Sequence, residues 1–515
     1  MTDLGHRGKT FTVHYLIIVL YVLFVHGLLL FMDGVYWDGW IVRGYETNRD
    51  WTSMWALFSE AGQPINGYFH WLVGYLPNPI LSYHVIAFLS ILSSTILTYL
   101  LLNKFRLFNR QTSLFIALIS SSIPLFLVQF EVVMVPTIFF YALFLLAWSI
   151  SLNTKAKGIR LILSRVLIWA LWFVSFSLPA FLVWYYAFLV LFAYLVYREH
   201  ARNTKQTLQW FVTGGIDYLV FPIMFWIFMR TVFPPHGLYS DYNQLTLLPS
   251  RSSLNGYISY GVDQLLAMGN AIFHYRYVIL PMVAVSALAI WLSRKRILIK
   301  TQILQSLALG IFLLAAAVIP YAFTGKMPGP YFESRHCLLL GLPIAIIIVS
   351  IAKSLCRMQT LAVLALIILL LAFGIMQVSN YIQWQARWVK DASVVTNLSR
   401  TDPGNISTFL VVDKYVINSE PYRFYEWSSM FTKAWGSEKY LGVSPPETVP
   451  DEKCFNRRYS LAEYNPQGKQ AVLEINRGQE ERDGKLVLEY FKYRYCNRDK
   501  LNDFLSGITK VSIIE

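Results

Sequence analysis

The sequence predicts an all-α polytopic membrane body, residues 1–379, followed by a small α+β extracytoplasmic domain, residues 380–515. Three observations predict it. Hydrophobic residues make up 56% of the 515 positions and charged ones only 14%, against about 25% charged in an ordinary soluble domain. The formal charge of +14 is concentrated in one part of the chain: residues 1–379 hold 25 basic and 12 acidic residues, residues 380–515 hold 19 and 18. About eleven apolar runs in the first part approach the ~20 residues that a bilayer-spanning helix needs. A soluble enzyme, a disordered chain and a disulfide scaffold are excluded.

The candidate spans are 13–32, 80–102, 112–130, 133–151, 161–178, 180–197, 208–232, 277–293, 302–323, 336–352 and 360–379. The first reads as a retained helix, because Gly27–Met32 offers no small-x-small cleavage site. Only Ser177-Leu178-Pro179 divides the fifth from the sixth. Eighteen of the 25 basic residues fall on alternate connectors: Arg7 and Lys9; Lys104, Arg106 and Arg110; Lys155, Lys157, Arg160 and Arg165; Arg198, Arg202 and Lys205; Arg294, Lys295, Arg296 and Lys300; Lys353 and Arg357. Cytoplasmic connectors carry excess Lys and Arg, so this side is expected inside, with the amino terminus. Of the 12 acids, only Asp3 and Glu199 join them. An odd span count then puts the tail outside. The surplus orients the protein in its membrane and implies no nucleic-acid partner.

Two outer loops are long, 33–79 and 233–276. The aromatic residues of the first, Tyr36, Trp37, Trp40, Trp51, Trp55, Tyr68 and Trp71, suit short helices in the membrane interface. In the tail, Phe409–Ile417 reads as a strand, Tyr422–Trp435 as a helix, and the alternation of Lys485–Tyr495 as a second strand. Of four cysteines, Cys337 and Cys356 fall in or beside apolar runs, where Cys packs as a small hydrophobe. Cys454 and Cys496 share the tail and are expected to bridge. No Cys/His spacing forms a zinc motif.

Chemistry is expected where the first outer loop begins, in Met32-Asp33-Gly34-Val35-Tyr36-Trp37-Asp38-Gly39-Trp40-Ile41-Val42-Arg43-Gly44. Ionisable groups at membrane depth are costly, which makes them functional candidates. Asp33 suits a helix end as well as it suits catalysis. Asp38 sits among three aromatic residues, a setting that favours a general base. Glu131 stands between two apolar runs with almost no loop to solvate it, as a contact to substrate or a capped carboxylate. Before the tenth run comes Lys326-Met327-Pro328-Gly329-Pro330-Tyr331-Phe332-Glu333-Ser334-Arg335-His336, with two cations on the sparsely basic outer side.

The acidic opening of the first loop, with Asp38-Gly39-Trp40 and Arg43, then Trp55, then Gly62-Gln63-Pro64, resembles the membrane glycosyltransferases of the GT-C superfamily. That superfamily includes protein O-mannosyltransferases, lipid A aminoarabinose transferases and O-antigen glucosyltransferases. The last type usually carries two adjacent acids and Gly-Arg-Pro; here Gly39 replaces the second acid and Gln63 the Arg. The motif covers about thirty residues and the topology the whole chain. The resemblance implies an inverting hexosyltransferase in a bacterial inner membrane. Its donor is a polyprenyl-phosphate sugar and its acceptor a cell-surface glycan or lipid. It further implies Asp38, with Asp33, as base. Arg335, with Lys326 and Tyr331, would bind the carrier phosphate, and Arg43, Glu131 and His336 would contact substrate. The acids present suit chemistry with or without a divalent metal, so no cofactor is assigned. A transporter or flippase, or a polymerase, of lipid-linked saccharides is the alternative. The transporter would show repeated halves and charged or broken helices at mid-membrane, whereas here the charges cluster at the outer boundary without an obvious repeat. The polymerase would lean on outer-face Arg residues and lack an acidic pair at the first helix.

Overall fold

Apolar composition and capping residues together set the helices of this computed structural model. It describes residues 2–153, 158–199, 203–240, 244, 246, 248–292, 303–355 and 359–514. The first helix, α1 (Thr2–His26), leads into the outer loop, which forms three short helices: α2 (Gly39–Asn48), α3 (Trp51–Glu60) and α4 (Pro64–Gly74). Next come α5 (Pro79–Lys104), α6 (Arg110–Ser122), α7 (Val135–Asn153), α8 (Ile159–Ser175) and α9 (Ala180–Glu199). Starts are marked chemically. Asn78 accepts the Leu81 N–H at 3.2 Å before α5, and Asn109 accepts that of Thr112 at 2.8 Å before α6, each satisfying a donor the helix leaves unpaired. The body continues with α10 (Thr204–Gly214), α11 (Ile216–Val232), α12 (Arg251–His274), α13 (Arg276–Leu292), α14 (Ile303–Ala322), α15 (Gly341–Leu355) and α16 (Gln359–Leu398).

The protein is membrane-embedded by this architecture. Among the described residues, seven helices are long and apolar enough to cross a bilayer, or nine if two bent pairs, α10–α11 and α12–α13, each count as one span. Eleven were expected, and the two runs not counted are those of α6 and α8. α6 has 13 residues and α8 has 17, roughly 20 and 26 Å at 1.5 Å per residue, short of a ~30 Å hydrocarbon core. The apolar run beginning at 112 is cut by Pro124, which disfavours helix at Ile123. Lys155, Lys157, Arg202, Arg294, Lys295, Arg296, Lys300, Cys356 and Arg357, which entered the sequence reading, lie outside the described residues.

The boundary expected at residue 380 falls inside a helix. α16 has 40 residues, about 60 Å, twice the hydrocarbon thickness, so its second half carries the tail. There Arg387, Lys390 and Asp391 are all buried. Lys390 pairs with Asp413, and Arg387 lies 3.5 Å from Glu426. Around this half pack β1 (Ile406–Asp413), α17 (Phe424–Trp435), β2 (Leu441–Val443), β3 (Lys469–Arg477), α18 (Asp483–Cys496), α19 (Leu501–Ile508) and β4 (Thr509–Ile514). The sheet order is β2-β1-β3-β4, with β1 parallel to β2 and β3 and β4 antiparallel to β3. α17 makes the crossover that a parallel β1–β2 pair requires.

Two tail expectations are corrected. Lys485–Tyr495 is helical, not a strand. Its buried Leu486, Val487 and Tyr490 fall on one helical face, packed with Ala386 and Val389 of α16. Cys454 and Cys496 are free thiols: one lies in a 3-10 turn ahead of Arg458, the other at the exposed end of α18.

Candidate functional site

Asp38 closes the turn into α2, and its position depends on an unusual residue before it. Trp37 is fully buried with φ = 41°, the left-handed region that bulky side chains rarely occupy. Two tail carboxylates hold it there: Glu426 accepts its backbone N–H at 3.1 Å and Glu420 its indole N–H at 3.0 Å. Asp38 stands at the N-cap of α2, yet its side chain makes no capping bond. The carboxylate instead faces a cavity of about 660 Å³ that it helps to line, within the usual range for a ligand pocket. One carboxylate oxygen, Oδ1, accepts the Tyr425 hydroxyl at 2.7 Å and lies 3.8 Å from the Arg423 guanidinium. Burial and the charge of Asp38 hold the Tyr425 hydroxyl far above the usual phenol range, so it remains a donor.

Lys326, Arg335 and His336 line the same cavity. Arg335 stacks on Phe332, 4.1 Å from the ring centroid, and pairs with Glu333 at 3.3 Å. His336 is 3.1 Å from Glu333. Burial and the charge of Arg335 lower the Lys326 pKa. From the loop's Gly-Gln-Pro turn, Gly62 and Gln63 contribute. Gly62 has φ = +70°, and a Cβ there would stand 3.2 Å from the Phe233 carbonyl oxygen, so glycine fits where a side chain would not. Leu178, Leu182 and Val183 beside Phe225, Trp226 and Met229 make an apolar wall toward α9 and α11.

Other expected residues lie elsewhere. Asp33 is not in the cavity. Its carboxylate accepts the Tyr490 hydroxyl at 2.6 Å and the Gln385 amide at 2.8 Å and pairs with Arg494, tying the end of the first span to the tail. Arg43 pairs with Glu46 at 3.1 Å, and Tyr331 bonds to the Ser419 hydroxyl; neither lines the cavity. Glu131 is fully buried and does not line it, packed so closely on Gly39 that a Cβ there would lie 2.6 Å from Oε1. That contact leaves no room for a side chain at position 39. Burial, then the charge of Asp38, pushes the Glu131 pKa well above the carboxylate range. Among the described residues, no three His, Cys, Asp or Glu side chains group as metal ligands would, and no residue is assigned to an ion. Arg230 borders the cavity, whereas Arg276 stacks on Phe273 and Tyr277, each centroid 4.5 Å away.

The tail residues Arg423, Tyr425, Arg458 and Tyr459 complete the lining. The sequence reading missed them because they lie about 390 to 420 positions from Asp38. Their only local signal is the run Tyr422-Arg423-Phe424-Tyr425-Glu426-Trp427, dense in rings and charge. No family model, no curated protein and no solved structure matches this chain.

Proposed function

We propose that this chain is an integral membrane glycosyltransferase that moves a sugar from a polyprenyl-phosphate carrier to an acceptor hydroxyl at the outer face of the membrane, with inversion. The observation that carries the reading is one cavity holding Asp38, Lys326 and Arg335 together with an apolar wall. Asp38 takes the acceptor's proton as its oxygen attacks the anomeric carbon. The carbon–oxygen bond to phosphate breaks, and the carrier leaves as a phosphate monoester with one more negative charge. A base must come within ~2.6–3.2 Å of the proton it removes, and Asp38 has a second oxygen that takes no hydrogen bond among the described residues. Developing charge on the leaving phosphate calls for fixed cations; an Arg fork supplies paired donors and a Lys a compact charge. The apolar wall suits the carrier's isoprenoid chain.

A transporter would hold its substrate on ionisable groups or broken helices at mid-membrane; two bent helix pairs are present, but the charges lining this cavity come from connectors, helix ends and the tail. Transfer from a short-chain polyprenyl-phosphate hexose tests the reading. Asp38→Asn should lower kcat by at least ~100-fold, the lower end of what a general base contributes, with Tm unchanged. Arg335→Ala should raise donor KM. Full activity in Asp38→Asn removes it as base.

A further inference from the structure

Phe31 closes the first candidate span, Thr12–Phe31, and is 51% exposed. Further back, exposed Leu16, Leu20 and Phe24 recur at every fourth position of α1. In a membrane-embedded chain, an exposed apolar stripe on a span meets lipid. At the end of that span Phe31 touches α18: the ring centroids of Phe491 and Tyr495 stand 6.3 and 6.4 Å from its own. α18 has two apolar faces. Leu486, Val487 and Tyr490 are buried with Ala386 and Val389 of α16. Leu488, Phe491 and Tyr495, at i, i+3 and i+7, form a second stripe of a 3.6-residue helix. Leu488 is 71% and Tyr495 56% exposed, so the described residues leave most of this stripe bare.

Contacts at the end of the first span show which way the stripe points. Asp33 bonds to Tyr490 and pairs with Arg494. Phe31, two residues back toward the bilayer, meets Phe491 and Tyr495, in each case the next residue round the helix. Moving from the loop toward the membrane thus carries the contact off the buried side of α18 and into the stripe, which puts the stripe on the bilayer side. Beyond Leu488 the helix turns polar, with Lys485, Glu489 and exposed Lys492; Lys485 lies 3.7 Å from Glu489. An apolar face edged by Lys suits a helix lying in the interface plane, where Tyr is favoured and a Lys stem packs on apolar surface while its ammonium reaches phosphate. We propose that α18 is an in-plane membrane helix. Leu488, Phe491 and Tyr495 enter the headgroup–acyl boundary of the leaflet in which the first span ends, beside Phe31, and Lys492 reaches the phosphates there. The partner is the phospholipid surface, and the contact is independent of the chemistry performed in the cavity. It gives the tail a hold on the bilayer in addition to α16, which carries it.

The full chain in phosphatidylcholine nanodiscs tests this. With the four native cysteines replaced by alanine, a nitroxide is placed in turn at Leu488→Cys, Tyr495→Cys, Phe24→Cys and Glu480→Cys. Phe24 sets the lipid end of the scale, and Glu480, exposed in the segment before α18, the water end. The ratio of collisions with oxygen to collisions with a water-soluble nickel chelate is then measured. At 488 and 495 it should exceed the Glu480 value about threefold or more, as side chains sunk ~5–10 Å into the boundary require. A ratio at both positions equal to that at Glu480 puts the stripe in water and overturns the proposal. Protection from both reagents also overturns it, because a second copy of the chain or another protein then covers the face. A second reading keeps the native cysteines. Leu488 is replaced by p-benzoylphenylalanine and the nanodisc irradiated. The chain should gain the mass of one phosphatidylcholine; adducts with protein alone, or none at all, overturn the proposal.

Discussion

Glu131 and Gly39 show how one side chain governs another next to Asp38. The Glu131 carboxyl is buried and held well above its ordinary range, chiefly by burial and then by Asp38. Its folded form prefers the proton, so its contribution to stability is complete below about pH 4.5 and is lost as pH rises through the raised value. Glu131→Gln keeps the shape without the titration. The variant should match the parent at pH 5 and exceed its Tm increasingly toward pH 9. A constant difference across that range would show that the carboxyl does not titrate there. Gly39→Ala would drive a methyl into Glu131 Oε1 and should cost about 1–3 kcal/mol, as overpacking does. Adding Glu131→Ala should recover ~1 kcal/mol or more of that in a double-mutant cycle, and strict additivity would show that the two do not touch. Asp38 was legible in the sequence because it stands among aromatic residues at a span's end. Its partners Tyr425 and Arg423 were not, because nothing local in residues 418–427 records that this segment folds back onto residue 37.

Among elements, the junction between the first span and α18 ties the tail to the body. Asp33 receives bonds from Gln385 of α16 and Tyr490 of α18 and pairs with Arg494. Phe31 adds ring contacts to Phe491 and Tyr495, centroids 6.3 and 6.4 Å away. Asp33→Ala strands three donors, and hydrogen bonds to charged groups contribute about 1.5–3 kcal/mol each. A loss of ~3 kcal/mol is expected, read as a lower guanidinium midpoint and faster proteolysis in the tail. Donor KM should stay unchanged, because Asp33 does not line the cavity; a raised KM with unchanged stability would return it to the site. Reading Lys485–Tyr495 as a strand failed for a related reason. Its side chains alternate well enough on paper, but the surface it meets is the long helix α16, which takes Leu486, Val487 and Tyr490 as one helical stripe. The short α6 and α8 misled in the opposite direction: hydropathy continues past their ends, while Pro124 and Pro179 stop the helix.

For the whole molecule, what joins the sequence to the cavity is the alternation of charge along the chain. The connectors expected outside, 33–79, the turn after α8, the segment after α11, and 324–336, all contribute to one cavity, together with the tail. The fold thus brings together segments that the charge pattern expects on one side. The free thiol Cys496 is exposed, and a cysteine placed at exposed Lys205, beside the basic connector after α9, reports the other side. In intact spheroplasts, a membrane-impermeant maleimide should label Cys496 at once and should reach Lys205→Cys only after permeabilisation. Lys and Arg bias toward the cytoplasm is the physical ground for this. Arg423, Asp38 and Arg335 line a cavity to which the tail contributes, so they are expected to face the compartment that Cys496 faces. The reverse labelling pattern would put that cavity in the cytoplasm, where a soluble nucleotide sugar competes as donor and a lipid carrier at the outer leaflet is out of reach.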